Sequence, residues 1–137
     1  MKSAPKPKVK LALVVHPDLC VLSKFQEAFQ QAEMTTLLAR DLPTALVAIS
    51  QNDFEVAIIS WRVTESGDGW ALGATLRRIF PSAFVVVLAN ETSVPTLKEA
   101  INQGFDQLYD PSNPPEAIAA QIVMSYSKRS SGSGAVQ

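Results

Sequence analysis

The sequence predicts an α/β fold, a doubly wound five-stranded parallel sheet in the order 2-1-3-4-5 with five helices. Three observations predict it. Short apolar runs without polar alternation, at 9–15, 56–59 and 84–88, mark strands covered on both faces. Between them lie segments whose apolar residues recur every three or four positions, which marks helices packed by one face. Regular alternation of the two types calls for parallel strands joined by crossover helices. Right-handed crossovers then place helices on both faces of the sheet.

Taken in order, the first strand ends at His16-Pro17-Asp18, and Pro17 suits the first turn of a helix. Leu19, Leu22, Phe25, Phe29 and Ala32 form one face of that helix. Cys20, the only cysteine, stands among Leu19, Val21 and Leu22 and reads as a buried structural thiol with no disulfide partner within the chain. A short second strand occupies 34–39. Asp41 is placed as the N-cap of a helix over 42–50, with Leu42, Ala45, Leu46 and Ile49 inward. A turn at 51–53 leads to the third strand, which has no polar alternation and so is central. It stops at Ser60. A loop over 62–69, a helix over 70–80 and the break at Pro81-Ser82 precede the fourth strand. The next helix, 94–103, is closed by Gly104, a residue suited to the left-handed conformation. Residues 107–109 form a short fifth strand. Asn113 caps the last helix, with Pro114 in its first turn and Ile118, Ile122 and Val123 inward.

The 137 residues make one domain, 9–127, between a basic tail at 1–8 and a Ser/Gly-rich flexible tail or linker at 128–137. Hydrophobic residues at 47% suffice for a full core. A net charge of −1 gives no surplus with which to hold nucleic acid directly. Lys128 and Arg129 complement the dipole of the last helix. The apolar run after the basic start is too short for a signal-peptide core or a membrane span, so the expected location is the cytoplasm.

Sites in such folds form at the carboxyl ends of the strands. That rim holds His16, Pro17, Asp18, Ser60, Trp61, Ala89, Asn90 and Asp110. Several local signatures stand in order along the chain: Val14-Val15, Ser60-Trp61, Asp68-Gly69, Ile79-Phe80-Pro81, and the run from Ala100 through Gly104 to Asp106. As an ordered set over 8–127 they resemble the receiver domain of bacterial two-component response regulators, the CheY-like family. That resemblance implies a flavodoxin-like fold and an aspartate that accepts a phosphoryl group. It also implies two acids holding Mg²⁺, a hydroxyl residue and a lysine around the acceptor.

At those positions this chain departs from the pattern. His16 and Pro17 stand where the metal-binding acids belong, and Asp18 comes one residue late. Ser60 replaces the acceptor, and a serine hydroxyl is hardly ionised at neutral pH. Ala89 replaces the hydroxyl residue. Asp110-Pro111 occupies the place of the lysine, and neither residue is a cation. The resemblance is therefore to a degenerate pseudo-receiver with no catalytic residue, metal or cofactor.

Sharper readings compete with this one. Ser60, His16 and Asp18 or Asp110 could form a Ser-His-Asp arrangement, but Ile58-Ile59-Ser60-Trp61-Arg62 lacks the glycines of a nucleophile elbow. Asp18, Glu65, Asp68 and Asp110 have no metal-ligand spacing. A small ligand at the rim is the main alternative, although no phosphate-cradling glycine loop follows the first strand. The expected function is that of a non-phosphorylatable, non-enzymatic module for protein–protein interaction in bacterial signalling or transcription control. Trp61, Lys98, Asn102, Tyr109 and Tyr126 are the candidate contacts with a protein partner, and a homodimer is what the resemblance implies.

Overall fold

Five strands alternate with five helices in the computed structural model, which describes residues 11–62, 69–90, 94–102 and 104–135, with backbone alone at 70, 94–97 and 129–135. The elements are β1 (Leu11–Val15), α1 (Leu19–Gln31), β2 (Thr35–Ala39), α2 (Leu42–Gln51) and β3 (Val56–Ser60), then α3 (Gly69–Ile79), β4 (Phe84–Leu88), α4 (Val94–Asn102), β5 (Gln107–Tyr109) and α5 (Pro115–Ala135). Every pairing is parallel, and the order across the sheet is β2-β1-β3-β4-β5, as the alternation predicts.

β3 and β4 are buried at every residue, so both faces of each strand are covered. Successive side chains point to opposite faces. Leu13, Val15, Ala57, Ile59, Val85 and Val87 pack with Ala45 and Ile49 of α2 and with Leu72 and Leu76 of α3. Ala12, Val14, Val56, Ile58, Val86 and Leu88 pack with Leu22, Phe25 and Phe29 of α1 and with Ile118 and Ile122 of α5. Phe25 and Phe29 stack with ring centroids 6.3 Å apart. Each fully buried side chain of this size stabilises the fold by about 1.5–3 kcal/mol.

Short polar residues set the helix starts. Asp18 is extended, and its carboxylate accepts the Cys20 N–H at 2.8 Å. Asp41 accepts the Thr44 N–H at 2.8 Å, and the hydroxyl and N–H of Thr44 hold its carboxyl below the usual range. After α4 the chain turns through Gly104 at φ 101°.

The structure corrects several sequence expectations. Asp18 is the N-cap of α1, so it precedes the first turn, and Pro17 lies before the cap. Cys20 is exposed rather than buried, and Leu19 is 56% exposed, because only Leu22, Phe25 and Phe29 of α1 are buried. Leu46 is 46% exposed, since Ala45 and Ile49 alone are the buried residues of α2. Asn113 does not accept as a cap. Its side-chain amide donates to the Asp110 carbonyl, while the Pro114 carbonyl takes the Ala117 and Ile118 N–H groups before α5 begins at Pro115. α5 continues to Ala135, through most of the stretch read as a flexible tail. Once a helix is nucleated, each further residue adds one bond, and Ser and Gly weaken that propagation without forbidding it.

At the amino end of the sheet, Arg77 of α3 ties three segments together. Its Nη1 donates to the Pro81 carbonyl at 2.7 Å and the Ala83 carbonyl at 2.9 Å, and its Nε donates to the Gly104 carbonyl at 2.9 Å. Its Nη2 pairs with Asp106, whose Oδ2 also accepts the Val85 N–H at 2.8 Å. A guanidinium fork meets these partners at once, whereas an ammonium cannot. Arg77→Met is expected to lower unfolding free energy by about 2–3 kcal/mol, and Arg77→Lys to recover less than half of that loss. Urea denaturation followed by circular dichroism measures both.

Candidate functional site

The register levels the strand ends. Val15 pairs with Ile59, Ser60 with Leu88, and Leu88 with Tyr109, so His16, Ser60, Ala89 and Asp110 share one rim. Backbone bonds close that rim: Trp61 N–H donates to the Leu88 carbonyl and Ala89 N–H to the Tyr109 carbonyl, each at 3.0 Å.

Ser60 is the one buried polar side chain among the described residues, at 8% exposure. Its Oγ accepts the Arg62 N–H at 3.4 Å, a long bond. α3 starts directly against this strand end. A Cβ on Gly69 would fall 2.2 Å from the Ser60 carbonyl oxygen and 2.6 Å from the Trp61 Cα, while the Gly69 N–H donates to the Trp61 carbonyl. Only glycine fits there. Gly69→Ala is expected to cost more than about 2 kcal/mol, because the obstacle is backbone and cannot swing aside. Thermal or urea unfolding of that variant reads the loss.

His16 follows β1 and is half-buried. Its Nδ1 accepts the Asp18 N–H at 3.0 Å, which leaves the ring proton on Nε2. Burial pushes its pKa below the ordinary value, and the nearby Asp18 carboxylate opposes that only in part. The Ser-His-Asp arrangement is not assembled. A triad needs Nδ1–H donating to a carboxylate, but here Nδ1 is an acceptor, and the Ser60 hydroxyl bonds to Arg62 instead.

Asp18 faces back onto α1 as its cap, and Pro17 beside it is exposed. Ala89 is buried and offers the rim no polar group. Asp110 accepts the Ser112 N–H at 2.8 Å, and that bond holds its carboxyl below the usual range. It therefore sits at the rim as an anion. Among the described residues no three His, Cys, Asp or Glu side chains come together in a way that could hold a metal ion. The residues present do not fit the Mg²⁺ site that the receiver pattern implies. Glu65 and Asp68 lie outside the described residues.

The five candidate contact residues divide. Trp61 is half-buried against the core, with the Arg62 guanidinium 4.6 Å above its ring. Lys98 and Asn102 are exposed on α4. Tyr109 and Tyr126 are half-buried and turn inward. The Tyr109 hydroxyl meets the Gln107 amide oxygen, and Tyr126 bonds Glu55 at the far end of the sheet from the rim. Burial raises the Tyr109 pKa. Sequence reasoning missed a cleft of about 230 Å³ beside the rim, lined by His16, Asp18, Cys20, Lys24, Pro111 and Asn113 among others. The one legible signal for it was the polar stretch just after β1; the contribution of Asn113 depends on tertiary packing.

Solved structures share this architecture. A response regulator from Burkholderia pseudomallei, described with a phosphorylated aspartic acid, a calcium ion and citrate, is 20% identical over 90% of this chain and 72% of its own, with a TM-score of 0.74. A CheY-like receiver domain protein from Methanospirillum hungatei gives 15% identity over 91% and 99%, with a TM-score of 0.79. The response regulator DrrB of Thermotoga maritima, an OmpR/PhoB homologue, gives 18% over 90% and 54%, also at 0.79. No protein-family model and no curated protein matches the chain. The chain has the receiver fold of two-component response regulators. Identities this low establish the fold alone. No helix among the described residues is long and apolar enough to cross a membrane.

The chain holds a single histidine. Its folded pKa lies below 6.5, so the unfolded chain takes the proton first. The stability that neutral His16 contributes is complete above pH 6.5 and falls away as pH drops through the lowered folded value. His16→Gln is expected to flatten the stability profile between pH 7 and pH 5. The imidazole NMR signal should titrate with a midpoint below 6.5.

Proposed function

We propose that this domain is a receiver-type module working without phosphoryl transfer, as a cytoplasmic protein–protein interaction element in bacterial two-component-type signalling or transcription control. The observation that carries this reading is the chemistry of the rim. Its buried hydroxyl, Ser60, replaces a carboxylate, and no cation replaces the lysine. The nearby acid Asp18 is occupied as a helix cap, and Asp110 is held as an anion where an anionic group would have to approach. Stabilising an incoming phosphoryl group needs a cation set against the acceptor; Asp110 stands where the lysine would, the Arg62 guanidinium lies over the Trp61 ring, and Arg40 reaches the Pro17 carbonyl. The interaction surface then works constitutively, and exposed Lys98 and Asn102 on α4, with Trp61 at the rim, are its candidate contacts.

A second reading has one observation in its favour. The cleft of about 230 Å³ beside His16 is smaller than most ligand pockets, but its lining mixes apolar residues with His16, Asp18 and Lys24. An amide NMR titration with Mg²⁺ and beryllofluoride, run beside an active receiver, separates the two. The expected result is no saturable shift at Ser60, Ala89 or Asp110, and no phosphoryl transfer from acetyl phosphate. Ser60→Asp alone is expected to remain unlabelled, because the metal-binding acids and the lysine are also missing. Labelling of that single variant, or saturable shifts in the unaltered protein, would overturn the proposal.

A further inference from the structure

Charge is unevenly divided along this chain. Residues 1–10, Met-Lys-Ser-Ala-Pro-Lys-Pro-Lys-Val-Lys, hold four lysines and no acid. All 13 acidic residues lie after them, against eight of the 12 basic ones. The body of the domain is thus acidic and its leading segment basic, and two such blocks attract. Between α1 and α5 lies a groove of about 410 Å³. Ala28, Ala32, Ala119, Ala120 and Val123 give it an apolar lining, with Met124 59% exposed beside them. Its two charged lining residues, Glu27 and Glu116, are both exposed acids, and Lys24 and Lys128 of the same helices are not in the lining. The chain enters β1 beside the end of this groove. Leu11 pairs with Thr35, shortly after α1 closes at Gln31, and its carbonyl accepts the Glu55 N–H at 3.0 Å. Glu55 in turn bonds Tyr126 of α5, within one turn of Val123. Exposed Glu33, between α1 and β2, adds a third carboxylate near that entry.

We propose that the chain's own basic segment, residues 1–10, docks in this groove and covers the α1–α5 face. Charge and tether select that occupant. Its lysines meet the acids Glu27, Glu116 and Glu33, which attract them. A segment joined to β1 beside the groove sees it at an effective concentration on the order of mM, above that of a free partner. Ten residues reach about 33 Å when extended. From Glu116 to Met124 the groove follows α5 for only about 12 Å. Pro5 and Pro7 favour extended backbone, so the segment can lay its prolines and lysine stems along the alanines while the ammonium groups reach the carboxylates. Their fixed φ also lowers the entropy lost on docking. Exposed ion pairs are individually weak, so docking is partial and salt-sensitive. A partner for the α1–α5 face must first displace this segment, whereas Trp61, Lys98 and Asn102 stand on other elements and stay open. The docking adds a self-closed face to the interaction-module reading, and its test does not depend on that reading.

A nitroxide on Ser3→Cys, in the full chain with Cys20→Ser, tests this through paramagnetic broadening of amide NMR signals. At low salt the amides of Gln31, Ala120 and Met124 should lose intensity, while those of Leu46, Ile79 and Lys98 keep theirs. The loss should largely vanish at about 1 M salt, where the screening length falls to about 3 Å. Glu27→Lys with Glu116→Lys should abolish it while circular dichroism stays unchanged. Lys6→Glu with Lys8→Glu, which alters the leading segment alone, should do the same. Even broadening over the whole surface, or broadening centred on Leu46 and Ile79, overturns the proposal. So does groove broadening that survives the Lys6 and Lys8 replacements. In a mixture of spin-labelled chain with isotope-enriched chain lacking the label, no broadening is expected. Broadening there would assign the groove to the segment of another copy and overturn the proposal as well. The beryllofluoride titration reads Ser60, Ala89 and Asp110, none of which lines the groove, so the failure of either idea leaves the other standing.

Discussion

β3 is enclosed on every side, by β1 and β4 along its edges and by helices above and below, and the remaining elements take their positions from it. Its alternating residues feed both cores: Ala57 and Ile59 enter one, Val56 and Ile58 the other. A slip of one residue would exchange those two sets and misplace every neighbour. The strand's last residue is Ser60, and α3 abuts that point through Gly69. Just before its start, Glu55 reaches α5 through Tyr126. The strand that fixes the register therefore also fixes where the rim ends.

The rim is chemically unlike the acid cluster that the receiver pattern implies. A cluster of acids needs a bound cation to offset the repulsion among its members. In place of such a cluster the chain has a neutral imidazole, a proline, a buried hydroxyl and a methyl group. Each is satisfied locally. Among the described residues no buried side-chain nitrogen or oxygen lacks a partner.

The sheet was legible in the sequence because β3 and β4 are continuous apolar runs with no competing pattern. Their bounds followed from the polar residues that interrupt them, Ser60 among these. Helical periodicity identified the inner residues of α1 and α2 but overestimated the width of the buried stripe. Leu19, Cys20 and Leu46 share the spacing of core residues and yet stand clear of the sheet, since how far a sheet extends beneath a helix is a tertiary fact. The rim residues were legible through strand ends, which are local. The partners of Tyr109 and Tyr126 were not, because they are supplied by packing, Glu55 at a separation of 71 residues being the extreme case. The Arg77 tie was invisible for the same reason, joining residues 27 and 29 positions apart.

Arg77 secures α3, the entry to β4 and the approach to β5 at the edge of the sheet away from the rim. Anchorage and chemistry therefore occupy opposite poles of the same molecule. A side-chain change at the rim that spares Gly69 therefore leaves this fastening in place.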